Sequence, residues 1–151
     1  MAYVGASEPP AGCIFCVALE GSDDRARLVL LRGVQSYLIL NAFPYAPGHL
    51  MAVLKRHVGA VVDATAEELA DVMTLVQRAV RALAEEYRAH GFNIGINQGQ
   101  IAGAGIVDHL HVHVVPRWSG DTNFMPVIAH TTVLPEALAD LAAKLRAAIA
   151  K

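Results

Sequence analysis

Apolar positions recur along the chain in two rhythms. Residues 27–31 and 37–41 are short runs rich in Val, Leu, Ile and Tyr, separated by Gly33-Val34-Gln35-Ser36, and they predict a β-hairpin. A third apolar run, residues 49–54, follows the turn Phe43-Pro44-Tyr45-Ala46-Pro47-Gly48, where two prolines fix φ and a glycine permits close approach. The rhythm then changes. Thr65 followed by Glu68 is a capping box, and Leu69, Val72, Met73, Val76, Val80, Leu83 and Tyr87 come at steps of three and four, predicting a long amphipathic helix that ends near Gly91. Residues 92–97 and 109–115 read as two more strands, joined by the glycine-rich loop Gly99 to Gly105. Pro135 and the stripe Leu138, Leu141, Leu145, Ile149 predict a last helix. Strands grouped around one long helix, without βαβ alternation, predict an α+β fold. Its sheet is mainly antiparallel, with about five strands, one long helix and a C-terminal helix.

The chain has 151 residues, which suits one domain, and 54% hydrophobic against 17% charged residues excludes a disordered chain. Residues 1–12, with Gly5, Pro9, Pro10 and Gly12 and no periodicity, read as a flexible N-terminal arm, leaving residues 13–151 as the single domain. Twelve Lys+Arg against fourteen Asp+Glu give a net charge of −2, so there is no broad cationic field for nucleic acid. Any anionic ligand needs a local site. The apolar stretches are cut by Arg32, Asn41, Pro44, Lys55 and Arg56, well short of the ~18 residues of a membrane span. The N-terminus lacks the pattern of a secretory signal, so the expectation is a soluble, cytoplasmic protein with no membrane partner.

The seven histidines are not scattered. In His109-Leu110-His111-Val112-His113 the period of two puts three imidazoles on one face and Leu110, Val112 and Val114 on the other. Three stacked imidazoles are expensive to bury and repel one another when charged, so packing does not explain them. A three-histidine metal site and a catalytic cluster both remain open on this spacing. Just upstream, Asn97-Gln98-Gly99 and Ala102-Gly103-Ala104-Gly105 form a loop whose small residues let backbone N–H groups approach an oxyanion. Cys13-Ile14-Phe15-Cys16 is a second constellation. In a reducing compartment it reads as a metal or redox pair, or as two small buried thiols.

These motifs resemble the histidine triad (HIT) superfamily of nucleotide hydrolases and transferases. The resemblance rests on Pro47-Gly48-His49-Leu50, on Asn97-x-Gly99 with Ala102-Gly103, and on His109-x-His111-x-His113-Val114-Val115. The tail Pro116-Arg117-Trp118-Ser119-Gly120-Asp121-Thr122-Asn123-Phe124 looks like the branch of bacterial enzymes that split diadenosine tetraphosphate, phosphorylases included.

The resemblance implies a HIT-like domain acting on adenosine nucleotides or dinucleoside polyphosphates through a nucleotidyl-histidine intermediate. A diadenosine tetraphosphate phosphorylase and an adenosine phosphoramidase are alternatives, and a nucleotide-binding sensor or scaffold is the non-enzymatic one. It implies His111 as nucleophile and His113, His49 and Asn97 as catalytic support. Asn41, Phe15, Gly103, Ala104, Gly105 and His113 would contact the nucleotide. It also implies a structural zinc on Cys13, Cys16, His57 and His109, no organic cofactor, and a homodimer formed by continuation of the sheet. Relatives often carry Ser or Thr where this chain has Gly105. Arg117 and Lys55 are the nearest cations for a polyphosphate, and Trp118 offers an apolar wall for a base. His90 is expected at the end of the long helix, and His130 in an exposed polar stretch.

Overall fold

The computed structural model of the protein describes residues 12–121 and 137–150. The arm up to residue 11, Thr122 to Phe124, His130 and Pro135 lie outside the described residues. The chain runs through α1 (Ile14–Glu20), β1 (Val29–Arg32), β2 (Ser36–Leu40), β3 (Leu50–Leu54), α2 (Ala66–Tyr87), β4 (Gly91–Gly95), β5 (His111–Arg117) and α3 (Leu138–Ile149). Short 3-10 turns at Val61–Asp63 and Gln100–Ala102 complete it. Among the described residues, five strands form one antiparallel sheet in the order β1-β2-β3-β5-β4. This is the expected α+β arrangement.

The period of two divides the sheet into two faces. Leu38 and Leu40, Ala52 and Leu54, and Val112 and Val114 pack with α2 and α3 in the main core. The alternate residues Tyr37, Ile39, Met51 and Val53 turn the other way and meet Phe15 and Ala18 of α1 in a smaller core. On that second face His111 pairs with Val53, and His113 lies between Met51 and Gly95. Gly95 has no side chain to crowd His113, so the strand beside it leaves room.

Helix α2 begins as its capping box dictates: Thr65 Oγ1 accepts the Glu68 N–H, and Glu68 Oε2 accepts the Thr65 N–H. Its buried residues include Val72, Leu75, Val76, Ala79, Ala82 and Leu83. Each large one contributes about 1.5–3 kcal/mol through apolar burial. Two details differ from expectation. Met73 is exposed and Leu75 takes the buried place, because the stripe that faces the sheet is rotated by part of a turn. The helix stops at Tyr87 with Arg88 in the left-handed conformation, and Gly91 instead opens β4. His90 therefore sits between helix and strand, accepting the Ser119 N–H at 3.0 Å.

Candidate functional site

The triad segment does not run as one strand from His109. Strand β5 starts at His111, while Leu110 donates its N–H to Val58 O at 2.6 Å in an irregular approach. His109 is buried before the strand, its ring 5.4 Å from that of Phe15, and the His111 ring is 5.0 Å from the same phenyl. The three imidazoles still share the second face.

Backbone groups fix the tautomers of this cluster. His111 Nδ1 lies 2.7 Å from His109 O. A carbonyl can only accept, so Nδ1 carries the proton and Nε2 keeps its lone pair. His49 is 0% exposed, and its Nδ1 accepts the Tyr45 N–H at 3.1 Å, so its proton sits on Nε2. That Nε2–H donates to His113 Nδ1 at 2.9 Å, leaving His113 with its own proton on Nε2. Burial, with His113 and His111 adding to it, pushes the His49 imidazole down to about 4. Burial and then His111 push His113 down to about 4 as well. Burial also lowers His111. All three are neutral at pH 7, and the site presents one imidazole lone pair beside one imidazole N–H donor.

A second cluster abuts this one. His109 Nε2–H donates to Leu54 O at 2.7 Å, which frees its Nδ1. That Nδ1 lies 3.3 Å from Cys13 Sγ and 3.6 Å from Cys16 Sγ, while His57 Nδ1 lies 3.3 Å from Cys16 Sγ. The four donor atoms are all within 4.8 Å of one another and form a group able to hold a metal ion. Two sulfurs and two nitrogens around a tetrahedral ion would sit about 3.5 Å apart in each S···N pair, which these distances match. An ion held by all four would have no open position for a substrate. The strap carrying His57 is itself tied down. Arg56 makes a two-point ion pair with the buried carboxylate of Glu68 and donates to Asp63 O.

The remaining expected residues are arranged less simply. Asn97 donates to Gly103 O across a long 3.4 Å and so braces the glycine loop. Within that loop the amides of Gly103 and Ala104 are already engaged, donating to Gln100 O and Gly99 O. Gly103, Ala104 and Gly105 are the residues expected to hold the anion. A turn closed by its own hydrogen bonds has no amide left at the first two positions, and only Gly105 N–H has no backbone acceptor among the described residues. Asn41 places its side-chain nitrogen 3.3 Å from His49 Nδ1 and its Oδ1 2.9 Å from the Phe43 N–H. Phe15 is 1% exposed, so it backs His109 and His111 from within the small core.

Of the two expected cations, Arg117 pairs with Asp121 at 2.6 Å and Lys55 donates to Gly33 O. Trp118 Nε1–H is spent on Tyr87 O. Sequence reasoning missed the carbonyls of His109 and Leu54 and the amide of Tyr45, because backbone groups leave no mark on residue type.

A family model described as HIT domain matches residues 25–120. AP-4-A phosphorylase of Mycobacterium tuberculosis is 47% identical over 117 residues, covering 78% of this chain and 60% of that protein. The chain thus spans about 60% of the length of that curated relative. A HIT-like protein of Saccharolobus solfataricus is 31% identical over 75% of this chain and 79% of its own length. The crystal structure of a Zn-bound histidine triad family protein from Mycobacterium smegmatis superposes with a TM-score of 0.73 at 30% identity, covering 92% of this chain and 94% of that one. With the imidazole cluster and five-stranded sheet described above, these matches place the chain in the HIT domain family.

Proposed function

We propose that this protein cleaves dinucleoside polyphosphates, diadenosine tetraphosphate among them, by passing a nucleotidyl group to His111 and then to an acceptor. The observation that carries this reading is the tautomer pattern: His111 Nε2 holds a lone pair, and His113 Nε2 holds a proton beside it. A neutral imidazole is a competent nucleophile near pH 7, and a covalent intermediate divides one hard displacement into two easier ones. The His111 Nε2 lone pair forms the bond to the α-phosphorus as the bond to the bridging oxygen breaks. The leaving polyphosphate departs as an anion. It needs a hydrogen-bond donor, not a full proton, because a terminal phosphate has a pKa near ~6. His113 Nε2–H is that donor, and His49 is the positioning residue that holds it in the donating tautomer. Asn41 is proposed to hold ribose hydroxyls, Gly105 N–H a phosphoryl oxygen, and Asn97 the loop that carries it.

Water or inorganic phosphate then takes the nucleotidyl group from His111. Phosphate is favoured as acceptor by the 47% identity to AP-4-A phosphorylase over 117 residues. Incubating the protein with diadenosine tetraphosphate, with and without phosphate, tests both readings. ADP plus ATP appearing only with phosphate supports the phosphorylase, AMP plus ATP supports the hydrolase, and no product under either condition overturns the proposal.

Cys13, Cys16, His57 and His109 are proposed to hold a structural zinc, a reading supported by their donor geometry and by the Zn-bound relative. The metal would supply a crosslink between α1, the strap after β3 and the segment before β5. A homodimer is proposed through the sheet edge at β4, where Ile94 is exposed. A cytoplasmic location is proposed, since a Cys13-x-x-Cys16 pair serving as metal ligands suits a reducing compartment.

A further inference from the structure

We propose that the exposed ring of Tyr45 is a stacking platform for the nucleobase of the leaving half of a dinucleotide substrate. The inference rests on the function proposed above and assigns a second base subsite to the same centre. The two ends of the imidazole cluster are backed differently. Phe15 lies behind His111 and is 1% exposed. Tyr45 lies behind His49 and His113, its ring centroid 4.7 Å from the first and 6.2 Å from the second, and it is 68% exposed. Its ring is 29° from the plane of His113. One face thus covers the imidazoles while most of the side chain stays open.

The side on which this happens identifies the ligand. His113 Nε2–H is the donor for the departing oxygen, so what lies beyond His113 belongs to the leaving half of the substrate and not to the half bound to His111. The outer face of the ring is open to a flat ligand. The turn is held in place before any ligand arrives. Tyr45 N–H is bonded to His49 Nδ1, His49 N–H to Ala46 O, and Phe43 N–H to Asn41 Oδ1. A pre-ordered aromatic surface stacks a base with little ordering cost, and stacking tolerates any base because each has a π-face.

The test is a selectivity ratio. Wild type, Tyr45→Ala and Tyr45→Phe are assayed on diadenosine tetraphosphate and on adenosine 5′-tetraphosphate, which has the same phosphate chain and no second base. The expected result is a fall of about tenfold in the kcat/KM ratio of the first substrate to the second for Tyr45→Ala. Tyr45→Phe should keep the wild-type ratio, since the ring and not the hydroxyl stacks. An unchanged ratio in Tyr45→Ala overturns the platform, even if both rates drop together through disturbance of His49. If wild type cleaves neither substrate, the functional reading fails first and takes the platform with it.

Discussion

The main-chain oxygen of His109 lies 2.7 Å from Nδ1 of His111, while the ring of His109 turns its own Nδ1 to the sulfurs of Cys13 and Cys16. One residue therefore supports the proposed nucleophile through its backbone and the metal corner through its side chain. Its ring is fixed from behind by Leu54 O, so the two clusters share a rigid joint.

From this joint follows a prediction about the metal. The purified protein should hold one zinc per chain, and Cys16→Ser should lose it. Stripping the metal with a chelator should lower Tm by about 10 °C, the size expected when a tightly held ligand is removed from a domain of this length. Because His109 carries both contacts, the 15N shifts of His111 should also move on stripping. Metal analysis, thermal melts and histidine NMR check these outcomes. A stripped protein with unaltered Tm would contradict them.

Acid should act on stability before it unfolds the chain outright. His49 and His113 sit at about 4 when folded, against 6.5 for an ordinary histidine, and burial is the main cause. Between those values the unfolded chain binds more protons than the folded one, so stability falls as pH drops. Above about 6.5 both states are neutral at these positions and the penalty is absent. Chemical denaturation at several pH values should show a declining free energy from pH 6.5 towards 4. The acid limb of kcat/KM should have an apparent pKa below 6.5, because burial also lowers His111.

Removing His49 should damage catalysis more than binding. His49→Ala deletes the donor that keeps the proton of His113 on Nε2. We expect kcat to fall by about 10²-fold with a small change in KM. Histidine NMR should then show His113 losing its single tautomer. A normal kcat would mean that the His49–His113 bond has no part in the reaction.

The glycines of the loop should respond in opposite ways. Gly103 has φ +87°, where a side chain is strained, so Gly103→Ala should cost about 1 kcal/mol or more and distort the loop. At Gly105 an added Cβ meets nothing within 4 Å, so Gly105→Ser should fold with Tm almost unchanged. The new hydroxyl would stand where relatives often have one, and kcat/KM for a polyphosphate substrate should rise. Melting curves and kinetics of the two variants check the contrast.

Much of this architecture can be read from side-chain pattern alone. The hairpin, the capped helix and the two-faced sheet follow from the periods of apolar residues, whereas the grouping of Cys13, Cys16, His57 and His109 is what the resemblance to the HIT superfamily implies. What escaped is set by the backbone. Arg88, and not Gly91, ends α2, because a left-handed cap can be taken by a non-glycine residue when packing requires it. The strand starts at His111 since the Leu110 N–H goes to Val58 O, while its carbonyl accepts the Leu54 N–H across a long 3.4 Å. The amides of Gly103 and Ala104 close their own turn. Tyr45 looked like a turn residue between prolines, and only three dimensions place its ring against His49 and His113.

The central claim is that His111 Nε2 attacks phosphorus and becomes covalently nucleotidylated. Intact-protein mass spectrometry tests it directly, on samples mixed with diadenosine tetraphosphate and quenched within milliseconds to seconds without acid, which would break the P–N bond. Wild type should gain the mass of one AMP less water, mapped by peptide sequencing to His111, and His111→Ala should show neither the adduct nor turnover. Turnover by wild type with no adduct at any quench time, together with activity retained in His111→Ala, would contradict the account.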